Sequence, residues 1–116
     1  MREVLQAAAE AGECRLEMEL REGFPVTVND EAAVELVRRV AAEQFGADNV
    51  IDPGLLPASE DFALFLQQRP GAMIFLGAGN AERGIVAPHH SPEFDIDEQA
   101  LPMGAELLTR LALQAG

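Results

Sequence analysis

The chain has 116 residues, 48% of them hydrophobic, and 20 acidic against 8 basic residues give it a net charge of −12. This length suits one domain of ordinary size with a buried core. The acidic balance argues against nucleic acid and anionic membranes as partners, because both require a basic footprint. With one cysteine, no internal disulfide and no apolar run of membrane-spanning length, we expect a reducing, cytoplasmic location.

The inventory of reactive side chains is small. The chain contains one cysteine and two adjacent histidines, and it has neither lysine nor tyrosine. Enzymes usually assemble several polar groups in one pocket. The composition therefore argues against a catalytic site that is complete within this chain.

The first elements are a helix and a strand. Apolar residues at helical spacing predict a helix over residues 4–11, which Gly12 ends. Residues 14–20 alternate between apolar and charged side chains, which predicts a strand with one buried and one solvated face. Cys14 falls in the apolar register, so we expect it to be a small buried side chain.

Residues 22–30 form a predicted connector to the clearest helix of the chain. Either Asn29 or Asp30 is suited to cap that helix, which we place at residues 31–45, before Gly46. Its apolar stripe faces a core and its charged face is expected to be solvated. The stripe consists of Ala33, Val34, Leu36, Val37, Val40, Ala41 and Phe45.

A short strand at residues 49–52 is predicted to precede a loop and a third helix. Ser59 is placed to cap this helix, with Glu60 and Asp61 in its first turn, where the helix dipole favours carboxylates. A stripe of Phe62, Phe65 and Leu66 is expected to be buried. Capping alone accounts for the three polar residues without any functional role.

The unbroken apolar run at residues 72–76 predicts a strand covered on both faces, as in an α/β sheet. The glycine-rich residues 77–84 fit neither the dinucleotide fingerprint nor a P-loop, so their glycines are expected to permit close backbone approach. A last helix is predicted from Asp97, its N-cap, to Leu113, with Pro102 kinking or tightening its first turns. Its expected inner face is Leu101, Ala105, Leu108 and Ala112.

Both histidines lie between Pro88 and Pro92, which stiffen the backbone around them. Adjacent side chains of an extended chain point to opposite sides, so at most one of His89 and His90 is a good metal ligand. A solvated polar turn is the alternative. Because the strand before residues 22–30 is one-sided and the later strands are two-sided, we predict the tail of an α+β domain followed by part of an α/β domain.

Four stretches together resemble the C-terminal part of the M20 metallopeptidases. They are Phe-Pro-Val-Thr-Val-Asn-Asp at residues 24–30, Ser-Glu-Asp-Phe at 59–62, the apolar strand ending in glycine at 73–77, and His-Ser-Pro-Glu-Phe-Asp with the following helix at 90–105. They are most similar to the amidohydrolase branch, which includes hippurate hydrolases, N-acyl-amino-acid amidohydrolases and indole-acetyl-amino-acid hydrolases.

This resemblance implies a zinc-peptidase-like α/β catalytic domain, preceded by the last helix and strand of a ferredoxin-like lid. Residues 1–22 would then belong to the lid, which often dimerises, residues 23–30 to the connector, and residues 31–116 to the catalytic domain. The implied activity is hydrolysis of the amide bond of N-acyl amino acids or related peptides. It uses one or two divalent metals, Zn²⁺ or Mn²⁺ with Co²⁺ or Ni²⁺ also compatible, and a glutamate as general base.

The resemblance also assigns roles to residues of this chain. His90 matches the last metal ligand of the family, and His89 and Asp95 are candidates to support it without touching the metal. The segment of Ser59, Glu60 and Asp61 is expected to lie near the substrate, as is Gly77, which ends the apolar strand.

The other ligands of the family and its catalytic glutamate have no counterpart in this sequence. We therefore expect either a piece of a longer enzyme or a truncated relative, inactive by itself and partnered by the remaining part of the enzyme or by further copies of itself. A second hypothesis is a non-catalytic binding or assembly module. A third is a surface metal site made by His89 or His90 with Asp95 and Asp97.

Overall fold

A computed structural model describes residues 1–21 and 23–115 of the chain. It contains four α-helices, namely α1 (Arg2–Ala11), α2 (Glu31–Phe45), α3 (Phe62–Leu66) and α4 (Ala100–Gln114). Short 3-10 helices lie at Ala47–Asn49 and Ala81–Arg83. All four predicted helices are therefore present, although α3 and α4 begin later than the sequence indicated.

Helix α2 has the bounds that its sequence predicts. Asp30, rather than Asn29, is the cap, and its Oδ1 accepts a hydrogen bond from the backbone N–H of Ala33 at 2.9 Å. Gly46 ends the helix with a φ of 86°, a conformation that a residue with a side chain rarely adopts.

The hydrophobic core lies between α2 and α4. Val40, Ala41 and Leu107 are buried at its centre. Burying a side chain of the size of valine or leucine contributes about 1.5–3 kcal/mol. The apolar stripe predicted for α2 faces this core. The partly buried residues that pack around the centre are Leu36, Phe45, Val50, Ile74 and Leu111.

The predicted inner face of α4 is wrong by about one residue. Leu101 and Leu108 are 59% and 63% exposed, and Ala105 and Ala112 are exposed as well, whereas Ala100 and Leu107 are buried. The helix carries leucines on adjacent stripes, and the stripe of Ala100, Gly104, Leu107 and Leu111 has packed inward. A Cβ atom at Gly104 would lie 3.0 Å from the side chain of Leu76, so this glycine permits the close approach.

The start of α4 also differs from the prediction. The helix begins at Ala100 with Gln99 as its N-cap, and Asp97 lies in the turn before it. Pro102 is in the first turn, where a missing N–H has no intrahelical partner to lose.

The predicted strands are not formed in the part of the chain that the structure describes. Residues 14–20 and 73–76 have no ladder partner, and residues 47–49 form a 3-10 helix where a strand was expected to begin. The isolated antiparallel bridge between Asn80 and Ile85 is the pairing that is present. A strand needs a neighbour for its backbone groups, and residues 1–21 and 23–115 provide no neighbouring strand for these segments.

Exposure of the apolar side chains follows from the missing ladders. Cys14 is exposed rather than buried, and its thiol donates to the carbonyl of Gly12 at 3.2 Å. Phe75 is 69% exposed, so the apolar run is not covered on both faces. The predicted burial of Phe65 is also wrong, since this residue of helix α3 is 68% exposed. The α/β sheet predicted from the sequence is thus not seen in the described residues.

The predicted domain boundary lies next to a residue that the structure does not describe. Glu22, which closes the predicted first domain, lies outside the described residues. Among the residues that are described, no helix combines the length and apolar character needed to cross a membrane.

Candidate functional site

The two histidines occupy the centre of a tight turn. The backbone N–H of Ser91 donates to the carbonyl of Pro88 at 3.1 Å, which closes residues 88–91 into a β-turn. His90 has a φ of 69°, the left-handed conformation that the third position of a type II turn requires. Glycine or asparagine usually takes that position, and a histidine there is uncommon.

The turn brings the two imidazoles to the same side. The ring centroids of His89 and His90 are 4.1 Å apart at an interplanar angle of 35°. The prediction that adjacent side chains diverge is wrong here, because the left-handed residue bends the chain out of an extended path. Both side chains are exposed, and His89 also makes an edge contact with the ring of Phe94 at 5.4 Å.

The rest of this loop is held by local hydrogen bonds. The hydroxyl of Ser91 donates to Glu93 Oε2 at 2.5 Å and accepts from the Glu93 N–H at 3.2 Å. The bond from Ser91 lowers the pKa of the Glu93 carboxyl. Asp95 accepts from the N–H of Ile96 at 2.8 Å. This hydrogen bond of Asp95 is to the backbone of the next residue. The support of His90 by Asp95 stays a prediction.

Asp97 closes the base of the loop. It is 8% exposed, and it is the buried polar residue of the described chain. Its Oδ2 accepts from Asn80 Nδ2 at 2.6 Å, and its Oδ1 accepts from the Arg83 guanidinium at 2.8 Å and from the Gln99 N–H at 3.1 Å. The bond from Asn80 first, then that from Gln99 and the charge of Arg83, lower the pKa of Asp97.

The glycine-rich segment is the partner of Asp97. Asn80 and Ile85 exchange both backbone hydrogen bonds at 2.9 Å, and Gly84 with a φ of 75° turns the chain between them. A Cβ atom at Gly79 would lie 3.3 Å from the carbonyl oxygen of Ile85, which confirms the expected close backbone approach. No atom lies within 4 Å of a Cβ built on Gly77, so that position is open.

The segment around Ser59 is not organised as a cap. Helix α3 begins at Phe62, beyond the reach of a cap at Ser59, and Glu60 Oε1 instead accepts from the Phe62 N–H at 3.1 Å. Glu60 and Asp61 line a shallow groove of about 340 Å³ together with Phe62 and the backbone run Ala72, Met73 and Ile74. The groove therefore places two of the predicted substrate-proximal residues beside the extended apolar segment.

Asn29 fixes that segment, a role that the sequence analysis missed. Its Nδ2 donates to the carbonyl of Met73 at 3.2 Å, and its Oδ1 accepts from the Met73 N–H at 2.8 Å. The N–H of Asp30 donates to the carbonyl of Gly71 at 2.9 Å. Asn29 thus satisfies the backbone as a neighbouring strand would. The sequence contains a hint of this role, because Asn29 and Asp30 are both suited to cap a helix and α2 needs only one cap.

The described residues supply no complete metal centre. No group of three or more histidine, cysteine, aspartate or glutamate side chains comes together among them. Both carboxylate oxygens of Asp97 are engaged by Asn80 and Arg83, so the surface site of a histidine with Asp95 and Asp97 is not formed. What these residues offer a metal are the exposed imidazoles of His89 and His90, nitrogen donors compatible with Zn²⁺, Mn²⁺, Co²⁺ or Ni²⁺.

Comparison with known proteins identifies the group to which the chain is related. The model of "Peptidase family M20/M25/M40" matches residues 3–114. "IAA-amino acid hydrolase ILR1-like 4" of Arabidopsis thaliana is 38% identical over 89 residues, which cover 77% of this chain and 20% of the relative. No solved structure matches the chain significantly.

Two microbial relatives extend the comparison. "Putative amidohydrolase YhaA" of Bacillus subtilis is 32% identical over 121 residues, which cover 97% of this chain and 31% of that protein. "Thermostable carboxypeptidase 2" of Saccharolobus solfataricus is 33% identical over 91 residues, 78% of this chain and 22% of the relative. The chain thus spans about a fifth to a third of the length of these relatives. With nearly its whole length matched, the chain belongs to peptidase family M20/M25/M40.

Proposed function

We propose that this chain is the C-terminal part of a metal-dependent amidohydrolase that cleaves the amide bond of N-acyl amino acids or related peptides. The observation that carries the proposal is the outward presentation of His90 from a left-handed turn. Strained backbone of this kind costs on the order of 1–3 kcal/mol and concentrates at functional sites. The names of the relatives, an amino-acid-conjugate hydrolase, an amidohydrolase and a carboxypeptidase, agree in bond type.

In this proposal His90 is one ligand of a divalent ion, Zn²⁺ or Mn²⁺, with Co²⁺ or Ni²⁺ also compatible. A catalytic zinc commonly has three protein ligands, so the other ligands and the general-base glutamate come from outside these residues. When bound, such an ion supplies Lewis-acid chemistry at a carbonyl group. His89 lies against the ring of Phe94 and supports the turn rather than the ion.

The groove beside α3 is the proposed place for the substrate. Glu60 and Asp61 form its polar wall, and residues 72–74 form the other. Asn29 already bonds the N–H and C=O of Met73. The backbone groups of Ala72 and Ile74 are therefore the ones proposed to hydrogen-bond an amide substrate as a strand does. Ser59 and Gly77 are proposed to lie near this groove, since Ser59 directly precedes Glu60 and Gly77 ends the apolar run that contains residues 72–74.

The proposed fold is the α/β catalytic domain of the family, preceded at residues 1–22 by the end of a lid domain and at 23–30 by a connector. The apolar run of residues 73–76 is then a strand that pairs with the rest of the enzyme. Its partly exposed side chains, with Leu76 at 40% exposure, support such a partner.

The test of this proposal is a hydrolysis assay with N-acetyl and N-benzoyl amino acids in the presence of Zn²⁺ or Mn²⁺. We expect no turnover by the isolated chain. In the complete enzyme, His90→Ala should abolish turnover, and the matched control His89→Ala should retain most of it. Clear turnover by the isolated chain, or equal activity of the two variants, would contradict the proposal.

A second candidate function is a non-catalytic assembly module. It is favoured by the broad apolar exposure, for example Leu55 and Val26 at 101% and 83%, because exposed apolar patches mark association surfaces. Under either function we expect the isolated chain to associate with itself or with a complementary piece. Sedimentation at tens of micromolar, on the order of usual working concentrations, tests this, and a monomer would contradict it. The module would be favoured if the complete protein with its natural His90 showed no hydrolase activity and the His90→Ala variant still assembled.

A further inference from the structure

We propose that Asp97 is the positioning residue of the loop that carries His90, holding that loop at its base through Asn80 and Arg83. This inference rests on the proposed function for the role of His90 and deepens it by assigning how the ligand is held. The three residues are separated by up to 17 positions in sequence and meet only in the fold.

The loop cannot fix its own orientation. The hydrogen bonds that the described residues 88–96 make run within that segment. Ser91 donates to Pro88 and Glu93 and accepts from the N–H groups of Glu93 and Phe94, and the Ile96 N–H donates to Asp95. These bonds give the turn its shape. They do not connect it to the helices, so the orientation of His90 relative to the core depends on the two ends of the loop.

Both ends of the loop converge on Asp97. The backbone N–H of Asp97 donates to the carbonyl of Ala78 at 2.7 Å, which joins the end of the loop to the glycine-rich segment. The side chain then bonds Asn80, which is paired with Ile85 at the start of the loop, and reaches the Gln99 N–H just before α4. One carboxylate thus connects the start of the loop, its end and a core helix.

The burial of Asp97 makes these bonds consequential. The residue is 8% exposed, and a buried carboxylate that loses its donors is left with an uncompensated desolvation cost. The Arg83 side chain is 58% exposed, so its charge is partly screened and the shorter bond from Asn80 is the main restraint. Asp95 and Glu93 lie within the loop and reach neither end of it.

The test measures backbone order at His90 by ¹⁵N relaxation of the full chain. We expect the order parameter of the His90 amide to fall from about 0.85 to below about 0.6 in Asp97→Asn, while the amides of α2 keep their values. The substitution keeps the size of the side chain but turns an amide donor toward the amide donor of Asn80. Asp52→Asn is the matched control, since Asp52 also pairs with an arginine, Arg38, at 2.9 Å but on an exposed surface.

An exchange of the two side chains provides the rescue. The double variant Asn80→Asp with Asp97→Asn reverses the direction of the hydrogen bond and leaves acceptors for the Arg83 and Gln99 N–H groups. We expect it to restore the order of His90. If Asp97→Asn fails to fold, Asn80→Ala, which removes the main restraint on Asp97, is measured in its place by the same criteria.

An unchanged order parameter at His90 would overturn the inference, and so would an equal loss of order in α2, which would make the role one of general stability.

In the complete enzyme, Asp97→Asn should lower kcat by about 10- to 100-fold, as loss of support for a metal ligand does, with KM little changed. Failure of the proposed function would appear separately, as an active His90→Ala enzyme, and would leave the order measurement standing.

Discussion

Helix α1 and the pair α2–α4 share a sequence pattern and differ in what covers them. All three helices are amphipathic, yet α1 buries no residue, with Val4 71% exposed, whereas α2 and α4 bury Val40 and Leu107 almost completely. The pattern dictates that a helix forms with an apolar face. It does not dictate that the partner of that face lies in the same chain.

This difference indicates which helices contribute most to the stability of the molecule. Most helical stability in proteins comes from packing of the apolar face rather than from intrinsic propensity. We therefore expect substitutions to be costly in the α2–α4 core and nearly neutral in α1. The loop that carries His90 is attached to the α2–α4 core, through Asp97 and the start of α4.

The largest expected effect is at the centre of the core. Leu107→Ala should lower the free energy of unfolding by about 3 kcal/mol, because it removes a buried side chain and leaves a cavity. Urea unfolding followed by circular dichroism measures the loss. Leu113→Ala in the same helix is the control, since Leu113 is 79% exposed, and its effect should lie within about 0.5 kcal/mol. Equal losses for the two variants would show that α4 packs through another face.

A smaller effect is expected at the helix cap. Asp30→Ala should cost about 1 kcal/mol by leaving the Ala33 N–H without its side-chain acceptor. The matched variant Ser59→Ala should change stability little, because α3 has no hydrogen bond from that side chain. Thermal unfolding of both variants tests this prediction. If Ser59→Ala lowers stability as much as Asp30→Ala does, Ser59 caps α3 after all.

In α1 we expect a still smaller change. Val4→Ala should alter the unfolding free energy of the isolated chain by less than about 0.5 kcal/mol, because the side chain is mostly exposed. The same urea titration measures it. A loss comparable to that of Leu107→Ala would mean that α1 is covered in solution, by another copy or another segment, and the contrast between the two regions would disappear.

The sequence alone predicts the local features of this chain and fails where distant segments decide. Periodicity and capping place α1 and α2 to within two residues, since both signals are local. The inner face of α4 depends on whether Leu76 can approach Gly104, which no pattern within the helix reveals. The strands fail for the same reason, because period two describes a strand but cannot supply its neighbour.

In the candidate site, too, the sequence predicts local features and fails where contacts between distant segments are decisive. The prolines around the histidines leave an extended and a turned backbone open, and the structure has the turn, because the left-handed φ of His90 depends on how residues 88–91 close. Asp97 was interpreted as a cap because it precedes a helix at the expected distance. Its bonds to Asn80 and Arg83 join segments 14 to 17 residues apart and give it a larger role.

Acid should weaken this attachment of the loop, an effect confined to low pH. The pKa of Asp97 is lowered in the folded chain by Asn80, Gln99 and Arg83, so the ionised form is favoured by folding. Its stabilising contribution is fully present above the unfolded value of about 3.9 and is lost as the pH falls through the lower folded value. Glu93, whose pKa the bond from Ser91 lowers, adds a contribution of the same sign.

The measurement is the difference in unfolding midpoint between the natural chain and Asp97→Asn, in which the contribution of Glu93 cancels. This difference should shrink as the pH falls below about 3.9. A difference that stays constant across this range would show that the charge of Asp97 contributes nothing and that its hydrogen bonds alone hold the loop.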